Sequence, residues 1–148
     1  MVSRRGFLSA ATAAALAASA LPALGQRAPR VTVYKNPACG CCGGWVKHMQ
    51  ANGFRVETHD VADVTPIRQR NGVPESLASC HTALVGGYAL EGHVPAADVW
   101  RLLRERPALK GLAVPGMVPG SPGMEQGAPQ RYATIAFDER GSRVFQQH

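Results

Sequence analysis

The feature that most constrains this chain is a cluster of three cysteines, Cys39, Cys41 and Cys42, within four consecutive residues. A β-branched and aromatic run precedes the cluster at residues 31–34, and a helix-compatible segment follows it at residues 42–52. Unpaired N–H groups at the start of a helix stabilise a thiolate, which is the form of cysteine that acts as a nucleophile or binds soft metals. The cluster therefore predicts a redox or soft-metal site at a strand-to-helix junction.

The segments on either side of the cluster predict a βαβ unit. Residues 31–34 have strand composition, and Trp45 and Met49 lie four residues apart, on one face of a helix predicted over residues 42–52. Residues 54–58 alternate apolar and polar side chains, as a half-buried strand does. Because a helix connects the two strands, we expect them to be parallel.

The rest of the pattern extends this unit into a mixed sheet with flanking helices. A short helix is predicted over residues 64–70, a hairpin over residues 82–91 that turns at Gly86 and Gly87, and an amphipathic helix over residues 96–106. The resulting order, β-α-β-α-β-β-α, is that of an α/β fold. It resembles a thioredoxin-like domain, in which a cysteine-rich turn begins the first helix.

The C-terminal part of the chain predicts a long loop and a closing hairpin. Residues 112–130 are rich in Pro, Gly and Met and follow neither a helical nor a strand period, and loops of this length are often functional. Residues 132–137 and 143–145 flank Gly141 and have strand composition. We expect residues 26–148 to form a single domain, because no internal repeat or second domain is visible.

The N-terminal residues 1–25 resemble a bacterial twin-arginine export signal. Arg4 and Arg5 precede a short Ala/Leu run, and the small residues Ala23 and Gly25 suit cleavage before Gln26. We therefore expect a soluble periplasmic protein without a stable membrane anchor. An uncleaved anchor or an ordinary secretory signal is the alternative.

The charge of the chain gives little support to a nucleic-acid partner. The sequence carries 16 Lys and Arg against 10 Asp and Glu, a net charge of +6, and loss of Arg4 and Arg5 with the signal lowers it further. The remaining basic residues are scattered among acidic and apolar positions, without interleaved aromatic residues. Solvated faces explain them better than a nucleic-acid surface.

The spacing of the cysteines leaves three chemistries open. Cys39 and Cys42 form a C-x-x-C pair, the spacing of disulfide exchange, but Cys41 between them crowds the pair with a third sulfur. Thiolates select Cu(I), Zn(II) and iron–sulfur centres, and the second C-x-x-C of most zinc sites is absent from this sequence. Cu(I) fits the closely spaced sulfurs best and Zn(II) fits them less well. Structural disulfides are the competing interpretation, because an oxidising compartment favours them.

The fourth cysteine, Cys80, decides whether the cluster can be completed. In a thioredoxin-like fold the segment just before the third strand packs against the cysteine-rich turn, and Cys80 occupies that segment here. We therefore expect its sulfur to lie beside the other three.

Four segments of the sequence resemble one known family. They are YKNPACGCCGGW at 34–45, ASCHT at 78–82, EGHVP at 91–95 and GSPGME at 120–125. Through them the chain is similar to an exported metal-binding family that includes the CopG-like copper-resistance proteins. The resemblance implies a thioredoxin-like domain, copper handling in the periplasm and a metal site made by Cys39, Cys41, Cys42 and Cys80.

Four further residues are weaker candidates for metal ligands. His81 follows Cys80 directly, His93 ends the third of these segments, and Met117 and Met124 lie in the predicted loop. Imidazole nitrogen and thioether sulfur both bind copper, although lone histidines and loop methionines are more often structural.

Our main hypothesis is a periplasmic protein that sequesters or transfers Cu(I), with copper ions as its partner and other periplasmic copper-handling or redox proteins as further partners. The alternative is a thiol–disulfide oxidoreductase or copper-reducing enzyme in which Cys39 and Cys42 are the exchanging pair. The third thiol argues against the alternative.

Overall fold

The computed structural model describes residues 27–148, which form one mixed sheet of seven strands with α-helices packed against it. The proposed export signal and its cleavage point before Gln26 lie outside the described residues. The strands are β1 (Arg30–Lys35), β2 (Arg55–Asp60), β3 (His81–Val85), β4 (Tyr88–Gly92), β5 (Gly111–Val114), β6 (Ala133–Asp138) and β7 (Gly141–Gln147). The helices are α1 (Gly40–Ala51), α2 (Thr65–Arg70), α3 (Ala96–Glu105) and a short 3-10 helix (Glu75–Leu77).

The strand order across the sheet is β2-β1-β3-β4-β5-β6-β7. Strands β1 and β2 are parallel and are joined through α1, as the sequence predicts, and β4 and β5 form a second parallel pair. All other neighbours are antiparallel. The mixed α/β class and the element order up to α3 are confirmed, whereas the thioredoxin-like assignment remains a prediction.

The β3–β4 hairpin turns where its glycines predict. Gly86 and Gly87 have φ angles of +54° and +89°, values that the tight two-residue turn of a hairpin requires and that glycine adopts without steric cost. This turn aligns Thr82 with Glu91 across the hairpin, and the register places the residues before β3 next to those after β4.

The loop predicted over residues 112–130 begins later than expected. Residues 112–114 belong to β5, which lies between β4 and β6 and is buried throughout. A central strand that is covered on both faces needs no polar alternation, so a four-residue apolar run carries little strand signal. The closing hairpin is present as β6 and β7, which pair antiparallel around Gly141.

The core lies between the sheet and the helices. Trp45 and Met49 of α1 are fully buried, as their spacing predicts, and α3 contributes Val99 and Leu102 to the same cluster. Within residues 27–148, no helix combines the length and the apolar character that a membrane crossing needs.

The sheet register determines where the functional candidates meet. Lys35 at the end of β1 pairs with His81 at the start of antiparallel β3. The chain leaves β1 into the cysteine loop and α1, and it enters β3 directly after Cys80. The cluster and Cys80 therefore lie at the same edge of the sheet although they are far apart in sequence.

Candidate metal centre

The cysteine cluster occupies the start of α1. The helix begins at Gly40, two residues earlier than predicted, so Cys39 is its N-cap residue and Cys41 and Cys42 lie in its first turn. Cys42 is buried against the core, whereas Cys39 and Cys41 are half-buried. The free N–H groups of this turn favour negative charge on nearby sulfur.

Two of the clustered cysteines are joined covalently in this structure. Cys39 and Cys42 form a disulfide with their Cα atoms 5.4 Å apart. Cys41 and Cys80 are free thiols. The C-x-x-C pair is therefore oxidised here, and two of the four candidate ligand sulfurs remain as thiols.

Cys80 lies beside the cluster. The Sγ atom of Cys41 is 3.4 Å from that of Cys39 and 3.9 Å from that of Cys80. The ligand atoms of all four cysteines lie within 4.8 Å of one another. A single soft cation can reach several of these sulfurs once the disulfide is reduced.

Two histidines extend the group on the side of Cys80. The Cys80 Sγ atom is 3.1 Å from His93 Nε2 and 3.4 Å from His81 Nδ1. Cys80, His81 and His93 thus form a second set of donors within 4.8 Å, and Cys80 belongs to both sets. Both imidazoles are fully buried.

Ser121 determines the tautomer of His93, and therefore whether the ring nitrogen that faces the Cys80 sulfur carries a proton or a lone pair. Its hydroxyl donates to Val118 O at 2.6 Å, so its oxygen accepts from His93 Nδ1–H at 3.4 Å. The lone pair of Nε2 then points at the Cys80 thiol. A cation between these two atoms would replace the thiol proton, as metal binding to cysteine generally does.

His81 is held by packing rather than by a full set of hydrogen bonds. Its ring lies between the indole of Trp45, 4.5 Å away, and the imidazole of His93, 5.6 Å away. Its Nε2 atom is buried and has no hydrogen-bond partner within the described part of the chain. The indole N–H of Trp45 donates to Val94 O at 2.8 Å, which ties α1 to the segment that carries His93.

Burial keeps these groups neutral. Desolvation, followed by repulsion from His93, lowers the pKa of His81 to about 3, and burial also lowers the pKa of His93. Burial and then the neighbouring Cys41 raise the pKa of Cys80 to about 12. Neutral imidazoles have a lone pair free for coordination, and the neutral thiol loses its proton when a cation supplies compensating charge.

Of the two methionine candidates, Met117 is the one that reaches the cluster. Its Sδ atom is 3.8 Å from Cys41 Sγ, and the residue is 54% exposed. It stands between the cysteines and solvent. Met124 lies beside the start of α1, where it lines a shallow cavity together with Gly40, Cys41 and Gly123.

The loop that carries these methionines packs tightly on α1 through glycines. The Cα atom of Gly123 is 2.9 Å from where a Cβ on Gly44 would lie. Gly123 itself has φ +91°, and a Cβ there would lie 2.6 Å from Cys41 O. A glycine on each side, Gly44 in the helix and Gly123 in the loop, therefore allows the two backbones to make direct contact.

Sequence reasoning did not single out Ser121, Gly44 or Gly123 as parts of the site. Each lies in a segment that carries the family resemblance, residues 34–45 or 120–125. That resemblance was the one available signal, because no local rule predicts that a hydroxyl in one loop will meet a histidine after a distant strand.

Comparisons with known proteins place the chain beside copper resistance proteins. Two solved structures of the copper resistance protein CopG, form 2 and form 1, superpose with TM-scores of 0.77 and 0.76. Both are 45% identical in sequence, and the alignments cover 82% and 80% of this chain and 98% and 96% of theirs. A family described as "Protein of unknown function, DUF411" matches residues 77–124, which include Cys80, His93 and Met117. No curated protein matches the chain.

Proposed function

This chain belongs to the family of the copper resistance protein CopG, and we propose that it binds Cu(I) to sequester or transfer copper in the bacterial periplasm. The copper ion is cargo rather than a resident cofactor. The N-terminal residues 1–25 act as a twin-arginine export signal, and the remaining chain is the copper-binding domain.

One observation carries the proposal: four cysteine sulfurs from two distant segments lie within 4.8 Å of one another. Soft thiolates prefer Cu(I) or Zn(II) to hard cations. Cu(I) accepts two or three sulfurs and tolerates bridging thiolates, whereas a zinc site needs four ligands at tetrahedral angles. The crowding of Cys39, Cys41 and Cys42 favours Cu(I).

The neighbouring side chains support the same assignment. His93 and His81 add neutral nitrogen donors beside Cys80, and Met117 adds a thioether sulfur beside Cys41. Cys39 and Cys42 are bonded to each other here. Full copper loading therefore requires the reduced protein, in which all four cysteines offer thiolates.

Native mass spectrometry tests the proposal most simply. We expect the reduced protein to take up several Cu(I) ions under anaerobic titration and to retain them against a competing chelator, while a parallel titration with Zn(II) gives weaker binding. Cys41→Ser should lower the Cu(I) affinity by at least about 10-fold, the lower end of what loss of an outer partner of a metal site costs. Failure of the reduced wild-type protein to retain copper would disprove the proposal.

The disulfide supports a second candidate function, a thiol–disulfide or copper-reducing enzyme. In copper reduction the Cys39 and Cys42 thiols would lose two electrons and two protons to form the disulfide, and two Cu(II) ions would each gain one electron. Stopped-flow measurement of Cu(II) reduction separates the two functions. An enzyme of this kind retains most of its activity in Cys41→Ser and loses it in Cys42→Ser, whereas a copper store depends on Cys41.

A further inference from the structure

Ser79, the residue before Cys80, has all of its polar groups engaged. Its N–H donates to Glu91 Oε1 at 2.7 Å, and its carbonyl accepts from Arg68 Nη2 at 2.8 Å. Its hydroxyl donates to Gly116 O at 2.5 Å. The backbone that leads into Cys80 is therefore held on both sides, and the same residue contacts the segment that carries Met117.

The two groups that hold this backbone form a buried ion pair. Arg68 Nε is 2.8 Å from Glu91 Oε1, and the two side chains are 8% and 0% exposed. Thr82 donates to the second carboxylate oxygen of Glu91 at 2.6 Å. Desolvating two charges largely cancels their attraction, so an apolar pair of the same volume would stabilise the fold about as well.

The directions of the hydrogen bonds indicate what the ion pair does. Arg68 comes from α2 and Glu91 from β4, and each makes a hydrogen bond to the main chain of Ser79 in addition to the ion pair between them. Gly92, with φ +69°, leaves the space into which Ser79 fits, because a Cβ there would lie 2.5 Å from Ser79 Oγ. This arrangement specifies the position of one short segment.

We propose that Arg68 and Glu91 are positioning residues for the candidate metal centre: through Ser79 they hold Cys80 beside Cys41 and His93. The copper part of this inference rests on the proposed function, whereas the placement of the thiol does not. Outer partners that orient metal ligands typically change metal affinity by about 10–100-fold when they are removed.

The test compares Arg68→Lys and Glu91→Gln with a matched control, Asp98→Asn. Lysine keeps the charge of Arg68 but lacks the planar fork whose Nε and Nη2 bind Glu91 and Ser79, and glutamine keeps the shape of Glu91 without its charge. Asp98 is an equally buried carboxylate that accepts from Thr134 Oγ1 and contacts His148 Nε2 at 2.9 Å, between α3 and the closing hairpin. Thermal unfolding of each variant reports the change in stability.

Two readouts follow thiol placement. The first is the Cu(I) affinity of the reduced full-length protein in competition with a chromogenic chelator. The second is metal-free: dibromobimane, which fluoresces when it bridges two thiols, is added to the protein oxidised at Cys39 and Cys42. The two remaining thiols, Cys41 and Cys80, have their sulfur atoms 3.9 Å apart.

We expect Arg68→Lys and Glu91→Gln to lower Cu(I) affinity by about 10-fold or more and to reduce the bridging yield, while Asp98→Asn lowers stability and changes neither readout. If either variant fails to fold, Thr82→Val, which removes one hydrogen bond to Glu91, should show a smaller loss in the same direction. Unchanged bridging yields in folded variants, or equal losses in Asp98→Asn, would overturn the inference. Absence of Cu(I) binding by the wild-type protein refutes the proposed function alone, since the bridging yield still measures the position of Cys80.

Discussion

At the scale of single residues, His81 combines a cost in folding stability with the capacity to bind a metal ion. Its ring packs against Trp45 and His93, and its Nε2 atom is buried without a hydrogen-bond partner among residues 27–148. An unsatisfied buried nitrogen typically costs about 1–3 kcal/mol of stability. An apolar replacement of the ring would remove that cost, whereas a cation beside Cys80 would bind the other ring nitrogen, Nδ1.

The metal-free protein should lose stability in mild acid because of this residue. The pKa of His81 is about 3 in the folded chain and close to 6.5 in an unfolded one, so the unfolded state binds the proton first. The contribution is fully present above pH 6.5 and is lost as the pH falls from there towards 3, at up to about 1.4 kcal/mol per pH unit. Urea denaturation at a series of pH values measures this slope.

His81→Phe provides the comparison. Phenylalanine fills the space between the two rings and does not titrate, so we expect a shallower slope between pH 6.5 and about 4.5, above the range of most carboxyl groups. Burial also lowers the pKa values of His93 and His48, and these two residues supply the slope that remains. An unchanged slope in His81→Phe would show that His81 is not the group responsible.

At the scale of elements, the contact between α1 and the loop before β6 determines whether Met117 reaches the cysteines. The loop meets the helix at Gly44 and Gly123, with no side chain between the two backbones. Glu125 Oε1 accepts from the Gly123 N–H at 2.7 Å and keeps this turn closed. The close approach accounts for a glycine in the first turns of a helix, where glycine is otherwise unfavourable.

Gly123→Ala should separate the loop from the helix. The new Cβ would lie 2.6 Å from Cys41 O and 2.8 Å from Trp45 N, and neither backbone atom can move cheaply. Gly127→Ala is the matched control, because Gly127 has a similar φ of +87° but open space around it. Both variants carry a positive-φ cost of about 1–2 kcal/mol.

The difference between the two variants isolates the contact. We expect the free energy of unfolding of Gly123→Ala to be lower than that of Gly127→Ala by about 1–3 kcal/mol. Gly123→Ala should also bind Cu(I) more weakly, because Met117 is displaced. Equal unfolding free energies for the two variants would contradict tight packing of the loop on α1.

The elements with strong local signals were predictable. Local sequence patterns predict three of them: the alternation of side chains in β2, the spacing of Trp45 and Met49 in α1, and the glycine pair in the β3–β4 turn. Strand β5 was not predictable, because its short apolar run is buried on both faces and has no period of its own. The loop contact was not predictable either, since it depends on two segments that meet only after folding.

At the scale of the whole molecule, the strand order creates the site. Placing β3 next to β1 brings Cys80 and the cysteine cluster to one edge of the sheet, and the hairpin to β4 then adds His93. The grouping of the cysteines could be predicted from the position of Cys80 just before the third strand and from the family resemblance. The sequence left several disulfide pairings open, because pairing depends on the three-dimensional proximity of the sulfurs and on their redox state.

The oxidation state of the molecule gives the most direct test, because a disulfide withdraws Cys39 and Cys42 from the four-sulfur group. One preparation is divided, half kept reduced and half oxidised to the Cys39–Cys42 disulfide, and the Cu(I) affinity and stoichiometry of each half are measured against the same chelator. A cysteine-based copper site predicts that the reduced half binds more Cu(I), with at least about 10-fold higher affinity. Equal affinity and stoichiometry in the two halves would contradict a copper site built on the cysteine cluster.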